Sequence, residues 1–81
     1  MSNVAIVFKV YPEEGLIDDA ITSLKGLGAV AIEKEEIGFG ITVIKVLFKF
    51  DDSQTSSSAL EDSIKAAKGV SEVEVQEESL L

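Results

Sequence analysis

The side chains able to do chemistry in this 81-residue chain are few and mostly of one kind. Histidine and cysteine are absent, so the usual neutral-pH general base, the thiolate nucleophile and the commonest metal ligands are missing. What remains is acid: 15 Asp and Glu against 7 basic residues, a net charge of −8. The pairs Glu35 and Glu36, Asp51 and Asp52, and Glu77 and Glu78 lack the spacing of a metal-binding loop and read as solvated charge. There is no phosphate-cradling loop pattern. An active site for covalent chemistry is therefore hard to build, and the sequence points away from an enzyme. One stretch does not fit a plain solvated surface: Ile37-Gly38-Phe39-Gly40-Ile41 holds an aromatic ring between two glycines. Glycine adopts positive φ without a Cβ penalty, so the pair can turn the backbone sharply and push Phe39 outward. Such a ring either folds back onto the core or waits for a partner, and the residues alone leave both open.

The elements that must position this loop follow from periodicity. Residues 4–11 are β-branched and aromatic, apolar on both faces apart from Lys9, and end at Pro12, which predicts a central strand. Residues 12–15 form a turn with acids placed for a helix N-terminus. Leu16, Ile17, Ala20, Ile21 and Leu24 then recur at helical spacing, and Gly26 and Gly28 stop the helix. Residues 29–32 are apolar and run into Glu33-Lys34-Glu35-Glu36, a charge density that suits a sheet edge. After the glycine loop, residues 41–50 predict a second central strand, with Thr42, Ile44, Val46, Phe48 and Phe50 on the buried face. Residues 51–58 are a polar loop in which Ser58 and Glu61 fit a capping box. Leu60, Ile64 and Ala67 mark a second helix, residues 70–75 a weaker edge strand, and residues 76–81 a tail of undefined order.

The predicted order is strand, helix, strand, strand, helix, strand. The halves echo one another, Ser23-Leu24-Lys25 before Gly28 against Ser63-Ile64-Lys65 before Gly69. Two split βαβ units of this kind make an α+β, ferredoxin-like βαββαβ plait: a four-stranded antiparallel sheet with both helices on one face. Residues 1–81 are expected to be a single domain. There is no membrane-length apolar run and no leader-like start, so a cytoplasmic protein is expected. A charge of −8 argues against a membrane surface or a phosphate backbone as partner. The loop partly copies the RNA-recognition-motif signature. Ile37, Ile41 and Ile44 stand where that signature has a basic residue and two aromatics, so the stacking platform is missing.

Residues 37–52, with the long third strand, the two aspartates and the serine-led second helix, resemble translation elongation factor 1-beta. The likeness is to the small stand-alone archaeal form and to the C-terminal exchange domain of the eukaryotic one. It extends over essentially the whole chain in length, element order and acidity. The resemblance implies guanine-nucleotide exchange on elongation factor 1-alpha, without a cofactor, a metal or catalytic residues, by a chain that is monomeric when free. It places the partner surface at Ile37, Gly38, Phe39 and Gly40, with Phe39 as the inserted aromatic, and adds Leu80. In eukaryotic members a penultimate lysine disturbs the magnesium and phosphate site. Here that position is Leu80 and residues 77–81 hold no lysine, so that route is absent or works differently. Two other readings stay open on the residues: an amino-acid-sensing plait of the ACT type, and an interaction domain without exchange activity.

Overall fold

Two apolar runs become the two central strands of the sheet. The computed structural model describes residues 3–51 and 53–81; Met1, Ser2 and Asp52 lie outside the described residues, and with them the second member of the aspartate pair. Strand β1 (Asn3–Pro12) pairs antiparallel with β3 (Ile41–Asp51), in a register running from Asn3 opposite Asp51 to Val10 opposite Ile44. Strand β2 (Ala31–Gly38) lies outside β3 and β4 (Val70–Leu80) outside β1, giving the order β2-β3-β1-β4. Helix α1 (Ile17–Gly26) joins β1 to β2, and α2 (Ser57–Lys65) joins β3 to β4. This is the expected plait, with the charged strands at the edges.

Alternation along the strands decides which face is covered. Ile6, Phe8 and Val10 of β1 and Ile44, Val46 and Phe48 of β3 pack with Ala20 and Leu24 of α1, Ile64 of α2, and Val70 and Val73 of β4. Both helices therefore cover the same face, as two right-handed crossovers require. At its centre the Phe8 and Phe48 rings meet edge to face, 6.0 Å apart at 76°. Each fully buried side chain of this size contributes about 1.5–3 kcal/mol through the apolar surface it removes from water.

Three local expectations are corrected. The tail is not of undefined order: β4 runs on to Leu80, and the Leu81 N–H donates to the Asn3 carbonyl at 2.8 Å. A register shift between Val7 and Phe8 of β1 lets β4 pair across an irregularity at Gln76, so the strand changes phase there and its alternation is hidden. The cap of α2 is Ser56, whose extended backbone lets its hydroxyl accept from the Ala59 N–H at 3.1 Å; Ser58 is already inside the helix. Val43, on the face of β3 opposite the one predicted to be buried, is fully buried as well, across from Glu35.

The uncovered face carries its own charge pattern. Lys9 and Lys45 lie opposite one another on the central strands, with Glu33 of β2 opposite Lys45 and Glu74 of β4 opposite Lys9. Acidic edges thus flank basic centres, which neutralises much of that face locally.

Candidate functional site

The hairpin joining β2 to β3 is only two residues long: Gly38 pairs with Ile41, leaving Phe39 and Gly40 as the loop. Both have positive φ, 55° and 74°. That is the mark of a type I′ turn, whose twist suits a hairpin and whose first position favours Asn, Asp or Gly. Phenylalanine there is held in a left-handed conformation that costs a residue with a Cβ about 1 kcal/mol. The strain is not offset by burial, because Phe39 is 103% exposed. A register shift between Glu36 and Gly38 makes Ile37 the extra residue of a bulge, and bulges re-aim side chains. Ile37 and Ile41 are also about half exposed, at 46% and 50%. Three large apolar side chains therefore cluster at one end of the sheet. Ile41 belongs to the stretch that the sequence marks but lies outside the partner surface that the resemblance placed there.

The tip faces a second wall. Residues 39–42 and the turn at residues 12–15, with Ile17, line an open cleft of about 460 Å³. The turn is pinned from below: the Glu13 N–H donates to the Gly69 carbonyl at 2.8 Å, and the Leu16 N–H to the Glu13 carbonyl at 2.9 Å. Gly69 itself has φ 87°, and a Cβ there would come within 2.7 Å of the Ala20 nitrogen. Only glycine lets the α2–β4 connection rest against the first turn of α1. Sequence reasoning assigned Glu13 and Glu14 to the helix N-terminus and missed that they face the tip. The signal was topological, since in this plait the β1–α1 turn and the β2–β3 hairpin emerge at the same end.

The structure brings Ile37, Gly38, Phe39 and Gly40 together and leaves Leu80 elsewhere. Leu80 pairs with Val4, and Val4 with Phe50, nine residues along β3 from Ile41. At ~3.3 Å per residue that separation is about 30 Å. Leu80 is 74% exposed, in a paired strand beside a shallow hollow that also touches Phe50 and Ser57. The Ser57 hydroxyl donates to Glu78 at this end.

Ionisable groups near the tip are tuned by the open face. The Lys45 ammonium reaches Glu35 at 2.8 Å, and this hydrogen bond and charge hold the Glu35 carboxyl below the usual range and raise Lys45. Partial desolvation and a 3.2 Å hydrogen bond from its hydroxyl to Glu74 push Tyr11 above its ordinary value. At the far end, the Ser53 N–H and hydroxyl donate to Asp51 and lower its carboxyl. Among the described residues no three His, Cys, Asp or Glu side chains come together as a metal site, and no helix is long and apolar enough to cross a membrane.

Fold and tip together define a small α+β plait that holds an exposed aromatic ring on a tight turn at one end of its sheet. The model of one family, described as the EF-1 guanine nucleotide exchange domain, matches residues 5–81. Elongation factor 1-beta of Methanosphaerula palustris is 32% identical over 84 residues, covering 99% of each chain. That of Methanoculleus marisnigri is 30% identical over the full length of both chains. The Aeropyrum pernix protein of the same name is 31% identical over 94% of this chain and 93% of its own. The chain belongs to the elongation factor 1-beta family.

Proposed function

We propose that the chain, residues 1–81 acting as one domain, promotes GDP release and GTP reloading on elongation factor 1-alpha. It would do so in the cytoplasm, as a monomer when free and without touching nucleic acid. Family membership supports the class of activity. The observation that carries the assignment to a site is Phe39, fully exposed in a backbone conformation its side chain disfavours. Strain that neither packing nor hydrogen bonding explains is expected where a partner uses the geometry.

The mechanism needs no bond-making. An exchange factor binds the nucleotide-free GTPase better than the loaded one, and linkage weakens nucleotide binding by the same factor. Burying one aromatic ring as a hot spot contributes about 2–4 kcal/mol. If that contact forms only with the empty GTPase, nucleotide affinity falls about 30- to 1000-fold. Ile37 and Ile41 widen the apolar contact, while Gly38 and Gly40 hold the turn and keep it thin enough to enter a pocket. Leu80 carries no charge with which to displace a metal ion, so its part in this reading is at most an apolar contact remote from the wedge.

The test is the rate at which a fluorescent GDP analogue leaves an archaeal elongation factor 1-alpha. Catalytic amounts of this protein are expected to accelerate release; an unchanged rate contradicts the reading.

A further inference from the structure

The cleft behind Phe39 has a charge that the wedge alone does not use. Glu13 and Glu14 are exposed on its wall, and no lysine lines it. Among the described residues the ion pair is that of Lys45 with Glu35, so neither glutamate of the turn has a cation of its own. The Glu13 backbone is held by its bonds to Gly69 and Leu16, so both glutamates sit on a hydrogen-bonded turn. Service to the helix dipole does not account for them, because Asp18 and Asp19 already occupy the first turn of α1. Ile17 and Ile41 add apolar lining to the same cleft as the two glutamates and Phe39.

We propose that this cleft receives an arginine side chain of the GTPase, its guanidinium lying along the Phe39 ring and its N–H fork directed at Glu13 and Glu14. The inference rests on the exchange reading above and names the partner chemistry of the same site. Arginine fits the three surfaces at once. Its stem covers apolar lining, its plane stacks on an aromatic face, and its donors match carboxylates. The ring then enters an apolar pocket while the acidic turn meets that pocket's basic rim, which shuts water out from around the hot spot. The two parts have different consequences. The carboxylates strengthen and orient the encounter, and the ring lowers nucleotide affinity.

The experiment titrates release of fluorescent GDP from an archaeal elongation factor 1-alpha with wild type, Phe39→Ala, and the double variant Glu13→Gln with Glu14→Gln. A control double variant, Glu61→Gln with Asp62→Asn, removes the same charge from α2. The cleft variant is expected to raise the half-saturating concentration about 5- to 30-fold, with the maximal release rate kept and the salt dependence reduced. The control is expected to stay within about twofold, and thermal melts of both are expected to match wild type. Equal shifts in cleft and control variants mean net charge alone is at work and overturn the proposal, as does a cleft variant indistinguishable from wild type. A wild-type protein that fails to accelerate release removes the exchange reading, and the cleft proposal with it.

Discussion

At one end of the sheet Phe39 stands exposed on a two-residue turn; at the other Leu80 and Leu81 stand exposed at the close of β4. Exposure is similar, yet the backbones differ. Leu80 occupies an ordinary extended strand whose partner is Val4, and Leu81 donates to Asn3, so folding alone explains the course of the chain there. Phe39 occupies a left-handed position where asparagine or glycine would fold better, and its ring contacts nothing that would compensate. An exposed apolar side chain on an edge strand is common. An exposed aromatic in a disfavoured conformation is not, and that contrast supports the proposed site at Phe39.

The largest expected effect breaks the contrast at its sharper end. Phe39→Ala is expected to reduce stimulated GDP release about 30- to 1000-fold, the worth of one hot-spot ring. It should leave the melting temperature unchanged, because no burial is lost. Next comes the support beneath the tip. Gly69→Ala forces a Cβ into the Ala20 and Leu16 backbone and is expected to destabilise by about 2–4 kcal/mol, read by urea unfolding. At the tail end, Ser56→Ala removes the cap of α2 and is expected to cost about 1 kcal/mol with exchange retained.

Much of the architecture is legible because burial leaves a period. The two-faced apolar run of β1 marks a central strand, and the glutamates of β2 and β4 mark edges. The second half of β4 is hidden because the irregularity at Gln76 breaks the alternation that pattern reading depends on. The burial of Val43 is hidden in the sequence because its neighbours on that face are charged, Glu35 across from it and Lys45 paired with Glu35. Among three successive serines, only backbone geometry selects Ser56 as the cap. The tip is visible as Gly38-Phe39-Gly40, whereas the acidic wall facing it emerges only when the topology brings residues 12–15 beside residues 39–42.

The smallest effects sharpen the comparison. Leu80→Ala is expected to change stability by less than about 0.5 kcal/mol and release by less than about threefold, since an exposed edge side chain buries little. Acid titration reads both ends together. Glu35 near the tip and Asp51 near the tail have carboxyls held below their ordinary values by Lys45 and Ser53. Depressed folded values mean that their stabilisation is fully present above the ordinary carboxylate range, near pH ~4, and is lost as pH falls through the folded values. Lys45, raised, loses its share only as pH rises above ~10. A melting temperature that is level through neutral pH and falls in acid is expected. Glu35→Gln and Asp51→Asn should each flatten the acid limb.

The central claim, that Phe39 is kept for a partner and not for the fold, is tested most directly by Phe39→Asn. Asparagine is the favoured residue at this turn position, so the variant separates the two purposes in one molecule. Stability to urea and stimulated release of fluorescent GDP would be measured on the same preparation. The expected result is a protein as stable as wild type or up to about 1 kcal/mol more so, with stimulated release lost. A variant that keeps full release, or one that loses more than about 2 kcal/mol of stability as a missing anchor would, contradicts the account.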